Sequence, residues 1–139
     1  MDIKTHKVKF ATKGHTDIID ITDKVEDLVA DSGFKEGNAN IFTVGSTAGI
    51  STVENEPGLI QDLKVSWNKL VPENSHYAHN AHWGDGNGYA HVRSSLLKSS
   101  LNIPFISGKL CLGTWQQIIY LDFDNRSRQR EVIVQVIGK

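Results

Sequence analysis

The sequence contains one cysteine, no long apolar run and no excess of either charge. A lone cysteine in 139 residues cannot form an internal disulfide, which fits a reducing cytoplasm. No apolar stretch is long enough to cross a bilayer, and residues 1–14 lack the apolar segment of a secretory signal. The net charge of -1 leaves no global positive field for nucleic acid or anionic lipid. We therefore expect a soluble cytoplasmic protein with no nucleic-acid or membrane partner.

The first part of the chain carries strand and turn signals. Residues 3–11 and 15–22 alternate apolar and polar side chains on either side of Gly14, so we predict a hairpin of two strands. The apolar run 40–44 predicts a central strand, and the small residues 45–49 after it predict a turn.

Two helices are predicted between the terminal strands. The first covers 23–32, with Thr22 or Asp23 as its N-cap and Gly33 at its end. The second begins at Pro57 and continues until Pro72. Its apolar side chains recur at helical spacing and predict a stripe that faces the core: Leu59, Ile60, Leu63, Trp67 and Leu70.

The last third of the chain predicts three or four strands within 103–107, 109–123 and 130–138. Cys111 falls inside one of them, where we interpret it as a packing residue and not as a nucleophile. The segment 91–98 fits either a short helix or a strand. Together the elements predict a single α+β domain over 1–139, a β-rich antiparallel or mixed sheet sandwich with two main helices packed on it.

Four of the six histidines lie in the segment 74–91, together with Asp85. Neutral imidazole and carboxylate are common ligands of zinc and related divalent ions, so this segment is the best candidate for a chemical site. Glycines at alternate positions from 84 to 88 disfavour a regular helix, and we predict a loop that folds back and brings His91 towards His79. Because no HExxH or paired CxxC motif is present, ordinary solvated histidines are the alternative interpretation.

The turn before Pro57 carries hydroxyl and acidic side chains. Ser46 and Thr47, with the backbone N–H groups of the turn, are candidates for holding an anion, and Glu54 for a general base or a cation ligand. The alternative is a plain turn followed by an acidic helix start, which the helix dipole favours without any function.

A second polar cluster contains Lys109, Thr114, Trp115 and Gln116. A tryptophan ring beside a neutral hydrogen-bonding side chain can stack on and orient a heteroaromatic ligand, and we predict that Trp115 and Gln116 interrupt a strand for this purpose. A packed tryptophan next to a surface glutamine is the structural alternative.

Several segments, in order from about Val44 to the C terminus, together resemble the YjbQ-like family, often named secondary thiamine-phosphate synthase. The segments are GSTAGISTVENE, YAH, GDGNGYAHVRSSLL, SLNIPFISGKL and LGTWQQIIYLDFDNRSR. The resemblance implies a compact cytosolic α+β protein that assembles as a homotrimer, with a polar pocket near the subunit contacts. It also implies weak formation of thiamine phosphate from a pyrimidine diphosphate and a thiazole phosphate.

The resemblance also assigns individual residues. The histidine of the family's Tyr-x-His piece falls on His79, the acidic residue before the glycines on Asp85, and the histidine before the Val-Arg-Ser run on His91. The remaining matches are Glu54, Asn55, Asp62, Thr114, Trp115 and Gln116. Many members carry a histidine where this chain has Gly45, and some carry histidine at the positions of Gly84 and Tyr89. His82 lies outside the pattern.

We therefore expect a transferase with a divalent metal ion, zinc or magnesium. Its expected ligands are His79, Asp85, His91 and His82, with Glu54 as a further catalytic candidate. The ion and a cationic side chain, Arg93 or Lys109, would stabilise the departing pyrophosphate while Trp115 stacks on the pyrimidine. Two alternatives stay open: a metal-dependent hydrolase of a small phosphoester or amide, and a metal- or ligand-binding module without turnover.

Overall fold

The computed structural model describes residues 1–139, which form eight strands and four helices. The strands are β1 (Asp2–Thr12), β2 (Asp17–Asp20), β3 (Glu36–Val44), β4 (Ala48–Val53), β5 (Ser100–Ile106), β6 (Lys109–Leu110), β7 (Gln117–Asp122) and β8 (Arg128–Gly138). The helices are α1 (Thr22–Ser32), α2 (Pro57–Leu70), α3 (Ala78–Trp83) and α4 (Gly88–Leu97). None of the helices combines the length and apolarity needed to span a membrane.

The strands form two antiparallel sheets. The five-stranded sheet has the order β1-β8-β3-β5-β6, and the three-stranded sheet has the order β2-β7-β4. Strand β3 is central in the larger sheet, and β8 lies between β1 and β3. The pairing of β8 with β1 runs without interruption from Asp2 opposite Gly138 to Thr12 opposite Arg128. The predicted α+β class, with antiparallel sheets and helices packed on them, is confirmed.

The core lies in two layers on either face of the smaller sheet. Alternate residues of β8, among them Val132, Val134 and Val136, point inwards and pack with α1, β4 and β7. On the opposite face of β7, Ile119 and Leu121 pack under α2 and α4. Strand β7 is therefore buried on both faces, which explains its continuous apolar run.

The helix boundaries agree with the sequence, although their caps differ in detail. Gly33 ends α1 in the left-handed region with φ 74°, as predicted. The predicted N-cap is wrong: the Asp20 carboxylate accepts hydrogen bonds from the Thr22 N–H and hydroxyl, and neither Thr22 nor Asp23 caps the helix. At the start of α2, the Glu56 carboxylate accepts from the N–H groups of the first turn, which stabilises a helix that begins at Pro57.

The predicted hairpin of the first two strands is wrong, because β1 pairs with β8 and β2 pairs with β7. Three consecutive residues between them have positive φ: Gly14 at 76°, His15 at 52° and Thr16 at 63°. The His15 N–H donates to the Asp124 carbonyl at 2.7 Å, which holds this turn. The turn therefore moves the chain from one sheet to the other instead of reversing it within a sheet.

Three further predictions need correction. The last third has four strands, in agreement with the prediction of three or four, but Cys111 lies in the loop between β6 and β7, where it is exposed and does not pack. The predicted turn 45–49 continues into the unpredicted strand β4. The apolar stripe of α2 is only partly covered, since Leu63 and Trp67 contact the core whereas Leu70 is 75% exposed.

Candidate functional site

The histidine-rich segment folds into two short helices, and the chain reverses between them. Gly84 and Gly86 adopt positive φ values of 72° and 70°, which allow the reversal around Asp85. Gly88 is needed for a close approach, since a Cβ there would lie 2.6 Å from the Tyr77 Cβ. The Gly88 N–H also donates to the Asn80 side chain at 2.8 Å, which fixes α4 against α3.

This reversal places His79 of α3 next to His91 of α4. Their ring centroids are 4.4 Å apart with the planes tilted by 51°. Nε2 of His79 lies 3.5 Å from Oδ1 of Asp85. We call these three residues the histidine cluster. The two imidazoles thus lie close together, as predicted. They are carried by two helices, α3 and α4, and not by a single loop.

The other histidines of the segment lie outside the histidine cluster. His76 and His82 are exposed, and His82 packs edge-on against Trp83 at a centroid distance of 5.0 Å. The expectation that His82 joins His79 and His91 as a ligand has no geometric support, because its ring is directed to the surface.

Two polar atoms near the histidine cluster are buried without a hydrogen-bond partner: Nε2 of His79 and Oδ1 of Asn87. The contact of 3.5 Å between His79 and Asp85 is too long for a well-formed hydrogen bond. Buried polar atoms in folded proteins are normally satisfied, so a bound group at this position would remove an energetic cost. Within the single chain, no three His, Cys, Asp or Glu side chains are arranged as a metal-ligand set.

A buried network of carboxylates and arginines lies beneath the histidine cluster. We call it the aspartate network; its members are Asp122, Asp124, Arg128, Arg130, Thr47 and Asn87. Arg130 donates to both carboxylate oxygens of Asp122 at 2.7 Å, and Arg128 donates to Asp124 at 2.7 Å. Thr47 and Asn87 donate to the two oxygens of Asp124, at 3.1 and 3.3 Å. Each buried charge is therefore paired and hydrogen-bonded, as burial requires.

The protonation state of Asp124 is fixed by these contacts. Burial alone would raise the pKa of this carboxyl, but hydrogen bonds from the Asn125 N–H, Asn87, Thr47 and Arg128 together outweigh burial and lower the pKa. Asp124 is thus a carboxylate at neutral pH and contributes stability that is lost only as the pH falls through its lowered pKa.

The environment of His91 favours the neutral imidazole. Burial is the main cause that lowers its pKa below 6.5, and the neighbouring His79 lowers it further, whereas Asp124, Asp85 and the Ser46 backbone act in the opposite direction. A neutral ring at pH 7 is suited to accept a proton or to bind a cation.

We expect an NMR titration to give His91 a pKa below 6.5. Between that lowered pKa and 6.5 the unfolded chain binds more protons than the folded one, so the contribution of His91 to stability falls as the pH decreases through this range. The pKa of His91 should rise in His79→Ala, because the repulsive neighbour is removed. A pKa of 6.5 or higher in the unchanged protein would contradict the assignment.

The predicted anion-binding turn lies beside the histidine cluster, but Glu54 does not. Ser46 is exposed and its backbone lies next to the His91 ring, whereas Thr47 is buried in the aspartate network. Glu54 is exposed and follows the far end of β4. Glu54, the candidate general base or cation ligand, therefore lies apart from the histidine cluster within one chain.

The Thr114–Gln116 segment lies at the opposite end of the smaller sheet. It belongs to the loop between β6 and β7, so Trp115 and Gln116 do interrupt the apolar segment 109–123, as predicted. Trp115 is 71% exposed, and the Gln116 amide donates to Thr52 at 2.9 Å. The histidine cluster is near the other end of β7, a strand of six residues whose five steps of ~3.3 Å give a length of about 17 Å. Within one chain, the Thr114–Gln116 segment and the histidine cluster are therefore not in contact.

Neither cationic candidate reaches the histidine cluster. Arg93 is completely buried and donates to the Val71 carbonyl, Thr16 and Asn68, so its expected role at a leaving group is wrong for this conformation. Lys109 is in β6 at the edge of the larger sheet, where it lines a cavity beside α1. The arginine that does lie near Ser46 is Arg130, through its contact with Thr47 at 2.8 Å.

Comparison with known proteins identifies the family. A profile described as UPF0047 protein YjbQ-like matches residues 6–139. The chain belongs to this YjbQ-like family. A UPF0047 protein of Methanothermobacter thermautotrophicus is 36% identical over 139 residues, which cover 100% of this chain and 95% of the relative. One from Archaeoglobus fulgidus is 40% identical over 126 residues, which cover 91% of this chain and 95% of the relative.

The fold is that of the YjbQ-like proteins. A crystal structure of a YbjQ-like protein of unknown function from Sulfolobus solfataricus matches with a TM-score of 0.89 at 31% identity, covering 99% of this chain and 100% of that one. The names of these relatives state no activity. The comparisons thus establish the family and the fold of this YjbQ-like chain.

The sequence interpretation missed the aspartate network. Its signal is the spacing of Arg128 and Arg130, which face the same side because they are two residues apart in a strand, together with two aspartates, Asp122 and Asp124, at the end of the preceding strand. Two acids and two bases separated by a short turn therefore predict paired charges. The strand and turn signals alone predict only a turn between apolar strands here.

Proposed function

We propose that the histidine cluster of this cytoplasmic YjbQ-like protein binds a small phosphorylated heterocycle and supports slow thiamine phosphate formation. In that reaction the nitrogen of a thiazole phosphate attacks the methylene of a pyrimidine diphosphate. The C–N bond forms as the C–O bond breaks, and pyrophosphate leaves with the bonding electrons. Support comes from the unpartnered Nε2 of His79, which lies beside Asp85 and His91.

The protein must stabilise the negative charge that grows on the leaving pyrophosphate. An imidazole of the histidine cluster can hydrogen-bond a phosphate oxygen, while the buried aspartate network holds the surrounding loops in place. Preorganised groups of this kind need little rearrangement during the reaction, which is the main source of their effect.

A divalent cation, zinc or magnesium, is part of this proposal. Nε2 of His79 and Oδ1 of Asp85 are suitable donors 3.5 Å apart, and His91 is adjacent, but one chain supplies no complete ligand set. Ions that act on phosphates commonly take only one or two protein ligands and complete their shell with water and substrate oxygens. Such an ion would supply positive charge for the leaving group.

We also propose that the protein acts as a homotrimer. The loop containing Trp115 is about one strand length from the histidine cluster of the same chain, at ~3.3 Å per residue. Association of protomers would allow Thr114, Trp115 and Gln116 of one chain to contact a substrate held by another. The largely exposed indole of Trp115 is suited to such a contact.

The test is product formation by purified protein with the two phosphorylated substrates and added Mg²⁺ or Zn²⁺. His91→Ala and Asp85→Asn are each expected to lower the rate by about 10²-fold or more, the usual effect of losing a positioned polar catalytic group. His82→Ala, which removes an exposed imidazole from the same segment, should leave the rate unchanged. Unchanged turnover in both His91→Ala and Asp85→Asn would refute the assignment.

Product analysis separates this proposal from its two alternatives. Release of phosphate or an amine with only water consumed would replace the transferase by a hydrolase. Binding of the heterocyclic phosphate with no product after long incubation would leave a ligand-binding module. Mixed trimers of His91→Ala and Trp115→Ala protomers should recover part of the rate if the two groups act across subunits.

A further inference from the structure

Gly45 leaves an open notch at the end of β3, next to the histidine cluster. It is exposed and has φ 140°, a conformation that glycine adopts readily and other residues rarely. A Cβ placed there would lie 3.2 Å from Nη1 of Arg130, and no other side chain or distant backbone atom comes within 4 Å. The floor of the notch is therefore the Arg130 guanidinium.

Arg130 is held rigidly but keeps part of its hydrogen-bonding capacity. Its side chain is only 7% exposed. Nε donates to Asp122, and Nη2 donates to Asp122 and Thr47, at 2.7 to 2.8 Å. Nη1 donates to no protein acceptor and is not fully shielded from solvent. Two of the five guanidinium N–H groups, both on the nitrogen next to the notch, are thus without a protein partner.

Ser46 and His91 complete the surroundings of the notch. The Ser46 hydroxyl is exposed and has no hydrogen bond within the chain, and the Ser46 backbone lies next to the His91 ring. The charges beneath are balanced, since Asp122 pairs with Arg130 and Asp124 with Arg128. An incoming anion therefore meets free donors without facing an uncompensated buried carboxylate.

We infer that this notch is a phosphoryl subsite, in which oxygens of a phosphate group accept hydrogen bonds from Nη1 of Arg130 and the hydroxyl of Ser46. An arginine fixed by a carboxylate presents its remaining donors in a rigid plane, which suits the geometry of phosphate oxygens. The inference rests on the proposed function and specifies where the phosphate of that substrate binds, beside His91. Arg130 is then both a structural residue and a ligand-binding one.

The inference is tested by calorimetric titration of the full chain with inorganic phosphate. Arg130→Lys is expected to weaken phosphate binding by about tenfold or more, since it removes a charge-assisted donor. Arg128→Lys is the matched control. Arg128 lies two residues from Arg130 and is also paired with a buried aspartate, Asp124, and its replacement should change the affinity by no more than about twofold. Equal affinities of Arg130→Lys and the unchanged protein would overturn the inference.

A second measurement needs no variant and remains decisive if Arg130→Lys fails to fold. Crystals of the unchanged protein soaked in arsenate, a phosphate analogue with an anomalous signal, should show a peak within hydrogen-bonding distance of Nη1 of Arg130. A peak confined to other positions, or none, would contradict the subsite.

The two proposals can fail separately. Phosphate binding at Arg130 without any turnover would retain the subsite and remove the transferase. Turnover that depends on His91, together with phosphate affinity that is insensitive to Arg130→Lys, would retain the reaction and remove the subsite.

Discussion

Replacing Asp122 with alanine is expected to lower the free energy of unfolding by about 3–5 kcal/mol, the usual cost of removing one partner of a buried ion pair. Asp122 is completely buried and accepts hydrogen bonds from Arg130, from the Thr12 hydroxyl and from the Asp124 N–H. Its loss would leave the Arg130 charge buried without its main partner. Urea denaturation monitored by circular dichroism would measure the change.

Asp62→Ala provides the comparison for this experiment. Asp62 is an exposed aspartate on α2, and its replacement should alter the unfolding free energy by no more than about 0.5 kcal/mol. If Asp122→Ala were destabilising by no more than Asp62→Ala, the aspartate network would not be a main source of stability at this end of the fold.

The second large effect is expected for Arg93→Leu, which should destabilise the protein by about 2–4 kcal/mol, since it leaves buried acceptors unpaired. Arg93 donates twice to the Val71 carbonyl, at 3.0 and 2.8 Å, and also to Thr16 and Asn68. Leucine fills part of the space but supplies no donor. Thermal unfolding measured by calorimetry is the appropriate assay.

An arginine at the surface is the control for Arg93→Leu. Arg126→Leu removes the same charge from an exposed position and should change stability by no more than about 0.5 kcal/mol. An Arg93→Leu protein as stable as Arg126→Leu would mean that the buried hydrogen bonds of Arg93 contribute nothing measurable.

Arg93 and Arg130 show that the sequence does not distinguish an arginine buried in the core from one with free donors at the surface. The sequence offers Arg93 as a cationic group for the leaving pyrophosphate, and it gives no comparable reason to choose Arg130. In the fold, Arg93 faces the core and Arg130 has free donors at the surface notch. Which face of an element is buried depends on the neighbouring elements, and a short helix with little amphipathic pattern gives no reliable indication of it.

Features encoded by neighbouring residues were predicted well. Pro57 and Gly33 define helix boundaries through their own backbone preferences, and the apolar alternation in β8 identifies a strand. Strand partners were not predictable in the same way. The first two strands look like a hairpin locally, whereas each pairs with a strand more than ninety residues away. Such pairings are decided by the packing of the whole sandwich.

The histidine cluster is an intermediate case. Glycines around Asp85 indicated a chain reversal, and this local signal was sufficient to place His79 near His91. The expected contribution of Trp115 could not be judged, because the length of β7 determines its separation from the histidines. The sequence therefore identified the residues of the candidate site, but it could not give the distance between the histidines and Trp115.

The position of β8 between β1 and β3 has a consequence for synthesis in the cell. Its partners leave the ribosome about a hundred residues earlier, so neither can pair with it until residues 128–138 have emerged. Nascent chains that stop before Arg128 would leave β1 without a partner and expose one edge of β3, and unpaired strand edges favour aggregation. The complete five-stranded sheet can therefore assemble only after β8 has been synthesised, whereas β3, β5 and β6 can pair before it.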